Sequence, residues 1–236
     1  MVTLRAMPAS DESHEDDPRA RAARTKRDRT RRALLDAADS AFGSRGWART
    51  RMEDIAQSAG VSAATAYNHF PTKHALLGHV YQPLVRPLIV QAHNDIAAGR
   101  SMLDAIDDQV RALCRVTDRN HELTAALWSA VQEYTIRVGG AADPDDQDDP
   151  RTLVPIPEAL LLLIAHGQET GELRPYPSAL EMSTLVVNLL LLRSVNRPGE
   201  TPQTTAELLL TVIFGSLRPD LILITDSDER PFRRAQ

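Results

Sequence analysis

Residues 50–73 constrain the fold of this chain more than any other stretch. Thr50 and Glu53 have the Thr-x-x-Glu spacing of a capping box, which satisfies free backbone N–H groups at a helix start. Apolar residues then recur at i, i+3, i+4 and i+7, and Gly60 follows, where a left-handed conformation ends a helix at little cost. Ser62 is placed to cap the next helix. The pattern predicts two short helices joined by a tight turn.

The second of these helices carries side chains that are able to reach DNA. Thr65, Tyr67, Asn68 and His69 are short polar or aromatic groups within one short segment. A helix of about eight residues spans roughly 12 Å, which suits a major groove of similar width. The segment therefore has the pattern of a helix-turn-helix, in which the second helix reads the groove.

A wider set of residues around this motif has a highly specific combined spacing. Its members are Phe42, Gly46, Trp47, Thr50, Asp54, Ile55, Ala56, Ala59, Gly60, Val61, Ser62, Thr65, Tyr67, His69, Phe70 and Lys73. Over about residues 28–80 the chain resembles the amino-terminal domain of TetR-family transcriptional repressors. It departs from the family at Ala66, where a bulkier apolar residue is usual. It also departs at Ala63, where a basic or small polar residue is common, and this implies one contact fewer to DNA.

Base readout is predicted for two side chains of the second helix. Asn68 can pair bidentately with adenine, and the methyl group of Thr65 can pack on that of thymine. The resemblance implies phosphate contacts for Tyr67, His69 and Lys73. Two alternatives stay open, since the Tyr67 ring can instead pack beneath the helix and His69 can cap the turn. The full predicted DNA-binding set is Arg49, Thr50, Arg51, Ser62, Ala63, Ala64, Thr65, Tyr67, Asn68, His69 and Lys73.

Further phosphate contacts are expected on either side of the motif. Thr50 can donate to a phosphate through its hydroxyl and backbone N–H, with Arg49 and Arg51 adding charge beside it. The arginines within residues 24–32 can lie along the DNA backbone or reach the minor groove. The alternative is that this arginine stretch only increases solubility.

The charge distribution separates the chain into two parts. The net charge of 236 residues is −5, yet residues 19–80 hold twelve Arg or Lys against five acids, so they carry +7 and the remainder −12. This asymmetry predicts a basic part that faces DNA and an acidic part that DNA repels.

The predicted fold is all-α: an amino-terminal three-helix DNA-binding domain followed by a helical bundle that binds ligand and dimerises. Pro83 and Pro87 are expected to break the path between the two. Two long apolar helices near residues 178–195 and 201–217 resemble a dimer interface. The expected divisions are a disordered acidic tail at 1–18, the helix-turn-helix domain at 19–80, the effector-binding and dimerisation domain at 81–218 and a tail at 219–236.

Candidate ligand contacts are polar or aromatic residues on otherwise apolar helices. These are His93, Asn94, His121, Trp128, Gln132 and His166. Five carboxylates within residues 143–149 allow a calcium site, but their spacing is not that of an EF-hand, and a solvated loop is the favoured interpretation. The acidic residues of the 1–18 tail allow competition with DNA for the basic stretch, against the simpler interpretation of a solvated tail.

Several classes of protein find no support in the sequence. No apolar run approaches the roughly 18 residues of a membrane helix, and the amino terminus lacks a signal-peptide core. The single cysteine, Cys114, has no partner for a disulfide or metal cluster. Without a phosphate loop or zinc-binding spacing, no enzyme activity, metal or cofactor is predicted. The expected location is the cytoplasm, associated with the nucleoid.

The leading hypothesis is a homodimeric repressor that an unidentified small-molecule effector releases from a palindromic operator on double-stranded DNA. One alternative is an architectural DNA-binding protein that organises the chromosome and senses no metabolite. Another is a helical ligand-binding or enzymatic protein that has lost DNA binding, although Tyr67, His69, Lys73 and the arginine stretch are all present.

Overall fold

Helices account for all the regular structure in the described part of the chain, which confirms the all-α fold class. The structure is a computed structural model that describes residues 18–140, 142–143, 145–146 and 148–218. The predicted tails at 1–18 and 219–236 therefore lie outside the described residues, apart from Pro18. In chain order the helices are α1 (Pro18–Arg49), α2 (Met52–Ser58), α3 (Ala63–His69), α4 (Lys73–Ala97), α5 (Met102–Arg119), α6 (His121–Val138), α7 (Pro150–Leu153), α8 (Glu158–Thr170), α9 (Ala179–Asn196) and α10 (Pro202–Leu217).

Helices α1 to α3, with the first two turns of α4, form what we call the amino-terminal unit. The predicted helix-turn-helix is confirmed, with α2 and α3 joined across Gly60, whose φ of 71° is the left-handed region that glycine adopts easily. Ser62 caps α3, because its hydroxyl accepts a hydrogen bond from the backbone N–H of Thr65 at 3.1 Å. The small core beneath these helices is fully buried and includes Phe42, Ile55, Ala66, Phe70 and Leu76.

The predicted capping box at Thr50 and Glu53 is wrong. The N-cap of α2 is Arg51, and no side chain caps it. Thr50 is only 1% exposed, and its hydroxyl lies 2.7 Å from the carbonyl oxygen of Gly46, which accepts its proton. Gly46 interrupts α1 with a φ of 71°, so its carbonyl loses its place in a regular helix and takes Thr50 as a partner.

Helix α4 continues through the two prolines that were expected to separate the two parts. It runs unbroken from Lys73 to Ala97, and residue 80 therefore lies inside a helix. Pro83 and Pro87 are four residues apart and exposed, so they share the solvent side of the helix. On that side, water can satisfy the carbonyl groups that lose a hydrogen-bond donor. The helix thus connects the amino-terminal unit to the rest of the chain.

The remainder of α4 packs with α5 to α10 in what we call the carboxy-terminal bundle. Helix α8 lies in its centre, in contact with α4, α5 and α9, and buries Leu160, Leu163 and Ile164 completely. A side chain at Gly167 would meet Leu173 at 2.7 Å, so glycine permits this close approach near the end of α8. The bundle therefore has a closely packed apolar interior.

The acidic loop is less solvated than predicted. Asp149 is 1% exposed, caps the short helix α7 and is bound by the guanidinium of Arg151, with Nη2 2.7 Å from Oδ2. Asp146 accepts a hydrogen bond from the hydroxyl of Tyr134. Among the described residues no group of three or more His, Cys, Asp or Glu is placed to hold a metal ion. The loop is thus attached to α6 and α7 through two of its carboxylates.

Helices α9 and α10 leave large apolar side chains on the surface. Leu180, Leu185 and Leu192 on α9 and Leu208 on α10 are 37–62% exposed. Within the described residues α9 is also long and apolar enough to cross a membrane, with a mean hydropathy of 1.2, contrary to the expectation that no such segment exists. Of that segment, 39% is buried inside the fold, and its exposed part includes Leu180, Leu185 and Leu192.

Candidate nucleic-acid interface

Helix α3 turns one side to the core and the other to solvent. Ala66 is fully buried against the core, whereas Ser62, Ala64 and Asn68 are exposed and Ala63 is half-buried. The same outer side carries Tyr67, which is 43% exposed. An alanine at position 66 lets the helix lie close to the core. No described part of the chain covers the polar side of α3.

The ring of Tyr67 does not pack beneath α3. Its hydroxyl donates to Oε1 of Glu53 on α2 at 3.2 Å, which orients the ring across the two helices. Partial burial, followed by the charge of Glu53 and the hydrogen bond to it, raises the pKa of Tyr67 above its ordinary value of 10.0. The hydroxyl therefore stays protonated, and in the free protein its one proton is donated to Glu53.

Thr65 is held by local hydrogen bonds at the start of α3. Its hydroxyl lies 2.9 Å from that of Ser62, which also accepts from the Thr65 backbone N–H. These bonds fix the Thr65 side chain and leave its methyl group as the part able to contact a base. Asn68, further along the helix, is exposed with its amide free to rotate toward a groove.

The predicted phosphate contact of the Thr50 hydroxyl is a second error at this position. The side chain is buried and bonded to Gly46, and its backbone N–H donates to the carbonyl of Trp47 at 3.3 Å. Neither donor points to solvent. Arg49 and Arg51 on either side are exposed, so they supply positive charge where Thr50 does not.

Lys73 does not extend from the surface as a simple phosphate ligand would. Its ammonium donates to the carbonyl oxygens of Trp47 and Thr50 at 3.1 and 3.2 Å and lies 3.8 Å from the centre of the Trp47 ring. Burial lowers the pKa of Lys73, although the nearby carboxylate of Glu133 opposes the shift. Two of its three protons are thus used to close the junction between α1 and α2.

His69 ends α3 in a cluster of positive groups. The guanidinium of Arg31 on α1 donates to the His69 carbonyl oxygen at 3.5 Å and lies 4.4 Å from the ring centre of Phe70. Partial burial, then the charges of Arg27 and Arg31, lower the pKa of His69 below 6.5. The imidazole is therefore neutral at neutral pH, and the positive charges of Arg27 and Arg31 beside it would attract an anion.

Sequence reasoning missed a contact between the amino-terminal unit and the bundle. The indole N–H of Trp47 donates to Oε2 of Glu133 on α6 at 2.7 Å. The other oxygen of Glu133 lies 3.5 Å from Nε2 of His74, a side chain buried at the start of α4. The spacing of Trp47 marked it as part of a motif, but nothing in the local sequence singles out Glu133.

The six predicted ligand residues are spread over three helices. His93 and Asn94 are exposed near the end of α4, Gln132 is exposed on α6, and Trp128 is half-buried against the apolar core. His166 is half-buried on α8. His121 lines a small cavity with Cys114, Arg193 and Glu200 at the opposite end of α6 from Gln132. The set as predicted does not outline one shared interior site.

Comparison of the sequence with known proteins matches its amino-terminal region to regulators. The family described as "Bacterial regulatory proteins, tetR family" matches residues 34–80. The regulator BetI of Rhizobium meliloti is 34% identical over 103 residues, which are 42% of this chain and 49% of BetI. The regulator TtgR of Pseudomonas putida is 34% identical over 128 residues, 43% of this chain and 59% of TtgR. The chain spans about half the length of the curated relatives it matches.

Comparison of the structure extends the similarity to the carboxy-terminal bundle. The repressor FadR of Thermus thermophilus, solved in complex with lauroyl-CoA, gives a TM-score of 0.62 at 21% identity and covers 87% of this chain and 99% of FadR. KstR2 of Mycobacterium tuberculosis, a ketosteroid transcriptional regulator, gives 0.52 at 18% identity over 80% of this chain and 94% of KstR2. At such identities the likeness shows the fold alone. Residues 34–80 thus match the TetR family of bacterial regulatory proteins in sequence, and the helical architecture of the whole chain is similar to that of solved TetR-family regulators.

Proposed function

We propose that this protein is a homodimeric transcriptional repressor that binds a two-fold symmetric operator and is released by a small molecule. The observation that carries the proposal is the outer side of α3, where Tyr67 and Asn68 are exposed while Ala66 anchors the helix to the core. A seven-residue helix is about 10 Å long and fits across a major groove.

The outer side of α3 divides by chemistry into base readout and phosphate binding. Asn68 offers the donor and acceptor pair that matches adenine, and the Thr65 methyl group offers an apolar contact to thymine. Tyr67, His69, Arg49 and Arg51 surround them with donors and positive charge, which fix position without reading sequence. Ser62, Ala63 and Ala64 bring the helix start close to the duplex. Lys73 contributes its charge from behind the α1–α2 junction.

The homodimer is supported by the apolar surface of α9 and α10. Leu185 and Leu192, seven residues apart, lie on one side of α9, and Leu208 is exposed on the adjacent α10. A second copy packed on this surface in two-fold symmetry would bury these three leucines of each copy. Replacing Leu185 and Leu192 with Asp should yield a monomer with unchanged helix content, measured by light scattering and circular dichroism. Dimers that persist would contradict this assignment.

The effector is supported by one buried polar group in the bundle. Gln109 on α5 is 3% exposed, and within the described residues its Nε2 has no hydrogen-bond partner. An unpaired buried donor costs about 1–3 kcal/mol, a cost that a ligand carbonyl would remove. A ligand that binds one conformation of the bundle better than the other would shift the spacing of the two α3 helices.

DNA binding is tested by selection from fragments of the source genome with the purified protein, followed by sequencing. We expect enrichment of one palindromic sequence near few genes. Asn68→Ala should relax the preference at one base pair, by about 1–3 kcal/mol of discrimination, whereas Tyr67→Ala should weaken selected and scrambled duplexes alike. Arg119→Ala, an exposed change on α5, is the matched control.

Three results would count against this function. If the selection enriches no sequence, the protein does not bind DNA sequence-specifically. Enrichment at many scattered sites would favour an architectural protein instead. If both α3 variants bind like the wild type, another surface contacts DNA.

A further inference from the structure

His74 is a buried imidazole that the DNA-facing surface does not use. It is the second residue of α4 and is 5% exposed. Its ring lies between the rings of Trp47 on α1 and Tyr134 on α6, with ring centres 4.6 and 5.3 Å away. The Tyr134 hydroxyl donates to Asp146 instead of to His74. Within the described residues, Nε2 of His74 has no hydrogen-bond partner, which is rare for a buried polar atom and calls for an explanation.

The carboxylate beside His74 already has another donor. Oε1 of Glu133 lies 3.5 Å from Nε2 of His74, too far for a well-formed hydrogen bond. Oε2 of the same carboxylate accepts from the indole N–H of Trp47 at 2.7 Å. The Glu133 side chain is 54% exposed, so the fold does not enclose it on all sides. One carboxylate of α6 therefore stands between a tryptophan of α1 and a histidine of α4.

A proton on His74 would change this arrangement. A charge-assisted N–H to carboxylate bond is about 2.8 Å long, so Oε1 has to approach Nε2 by about 0.7 Å to form one. That movement draws the carboxylate toward His74 and away from Trp47, whose hydrogen bond is already short. Hydration of the imidazolium would instead require water to enter between α1, α4 and α6. Both responses loosen the contact between Glu133 and Trp47.

The charges around His74 disfavour the proton in the closed arrangement. Burial lowers the pKa of His74 below its ordinary 6.5, and the positive charges of Arg137 on α6 and of Lys73 on α4 act in the same direction. The carboxylates of Glu133 and of Asp149, at the start of α7, oppose the shift. Since the closed contact binds the proton weakly, proton uptake favours an arrangement in which the contact is open.

We propose that His74 and Glu133 form a proton-sensitive contact, which loosens the attachment of α6 to the α1–α2 junction when His74 takes up a proton. The proton and the indole N–H of Trp47 compete for the same carboxylate. The packing of α1 on α6 and the continuous helix α4 remain, so the two regions stay joined. Protonation thus weakens one route by which a movement of α6 reaches the amino-terminal unit. This inference concerns the free protein and does not depend on the proposed function.

The test follows the two indole N–H groups by nuclear magnetic resonance in the ¹⁵N-labelled full chain. Spectra are recorded between about pH 8 and pH 5, the range in which histidine titrates. Trp128→Phe assigns the Trp47 signal, and His74→Gln identifies the ring signals of His74 in the same titration. His79→Gln is the matched control, because His79 lies near His74 on α4 and its pKa is also lowered, by burial and by Arg31.

We expect the Trp47 indole proton to move upfield as pH falls, because its hydrogen bond to Glu133 weakens. The midpoint should lie below 6.5 and coincide with that of the His74 ring. The Trp47 signal should lose its pH dependence in His74→Gln and keep it in His79→Gln. Glu133→Gln should shift the midpoint of His74 to lower pH, since the charge that opposes the effect of burial is gone. That variant retains an acceptor for Trp47 and tests the proposal even if His74→Gln does not fold.

Four results would overturn the proposal. A constant Trp47 signal while His74 titrates would mean that the carboxylate serves both donors at once. A Trp47 shift that persists in His74→Gln would assign it to another group. If His74 stays neutral down to about pH 5, its role is structural only. A His74 midpoint that is unchanged in Glu133→Gln would show that the two side chains are not coupled.

Discussion

The amino-terminal unit and the carboxy-terminal bundle use their polar side chains in opposite ways. In the unit, Tyr67 and Asn68 are exposed on a helix that the core holds from behind. In the bundle, polar groups pair with each other inside the protein. The hydroxyl of Tyr81 lies 2.9 Å from that of Thr124, both side chains are fully buried, and burial raises the pKa of Tyr81 to about 12.

The difference shows where each region finds its partner. Half-buried pairs such as Arg193 with Glu200, or Arg151 with Asp149, satisfy each other and favour one packing of the bundle. On the exposed side of α3, Tyr67 bonds to Glu53 at the protein surface, and under the proposed function DNA would supply the further acceptors and bases. The surface of the unit therefore indicates a class of ligand, whereas most polar groups of the bundle report its own folding.

One carboxylate of α6 contacts both the α1–α2 junction and the start of α4. Glu133 accepts from the Trp47 indole and lies beside His74, while Lys73 closes the α1–α2 junction above the same indole. Burial lowers the pKa of His74, and the charge of Glu133 opposes that shift. A shift of α6 would therefore move Glu133 and, through its hydrogen bond to Trp47, the turn that precedes α2.

The largest effect should come from breaking that connection with Glu133→Ala. The change leaves the Trp47 N–H without its acceptor in a mostly buried position, at a cost of about 1–3 kcal/mol. Glu133→Gln keeps an oxygen at the same place and should cost less. The chain has two tryptophans, Trp47 in the unit and Trp128 in the bundle, so each region has its own fluorescent probe.

Urea unfolding measures the stability of each region separately in two variants that keep a single tryptophan, Trp128→Phe and Trp47→Phe. With Glu133 present, Trp47 emission and far-ultraviolet circular dichroism should follow one transition. In Glu133→Ala, the unfolding transition reported by Trp47 should occur at a lower urea concentration than the one reported by Trp128. Coincident transitions in the alanine variant would show that the α1–α6 packing and the continuous helix α4 couple the two regions without this carboxylate.

A smaller effect is expected inside the bundle, at the start of α5. The carboxylate of Glu172 accepts from the hydroxyl of Ser101 and from the backbone N–H groups of Met102 and Leu103 at 2.8–3.2 Å. Burial alone would raise the pKa of Glu172, but these hydrogen bonds lower it below its ordinary 4.5. Glu172→Gln should cost about 1 kcal/mol near pH 7, because the charge at the helix start is lost.

The lowered pKa of Glu172 determines how the loss of stability in Glu172→Gln depends on pH. A carboxyl with a lowered pKa in the folded state stabilises the protein above its unfolded pKa, and that stability is lost as pH falls through the folded value. The difference between wild type and Glu172→Gln should therefore be constant near neutrality and shrink below about pH 4. Glu169→Gln, an exposed change on α8, should alter stability little. A difference that does not depend on pH would contradict the capping role.

Local sequence predicted the turn of the motif because its causes are local. Gly60 and Ser62 act on residues within four positions, and both behave as their chemistry requires. The prediction for Thr50 failed although its partner is equally close in the sequence. Its Thr-x-x-Glu spacing is local, but its partner is a carbonyl freed by the break at Gly46, which the spacing does not encode.

Contacts distant in sequence account for the features of the structure that the sequence did not predict. Trp47 and Glu133 are 86 positions apart, and nothing near either residue indicates the other. Lys73 matched a phosphate-binding position in the resemblance, yet the folded chain places its ammonium on two carbonyls 23 and 26 residues earlier. Pro83 and Pro87 predict a break in isolation, but the packing of α4 against α1, α5 and α8 keeps one helix.

The smallest effect concerns His69, whose pKa should change when a DNA phosphate lies beside it. In the free protein burial, then Arg27 and Arg31, lower the pKa of this imidazole below 6.5. A DNA phosphate beside it would raise the pKa again. The bound state then holds more protons than the free state, so affinity should increase as pH falls.

This linkage should appear as a few-fold gain in affinity for a scrambled duplex between about pH 8 and pH 6, since one histidine binds at most one proton. The measurement is fluorescence anisotropy at constant ionic strength. His69→Gln should flatten the profile, whereas His93→Gln, an exposed histidine of the bundle, should leave it unchanged. If His69→Gln follows the wild-type curve, no phosphate lies against this end of α3, and the exposed row of the unit meets DNA through Tyr67 and Asn68 without it.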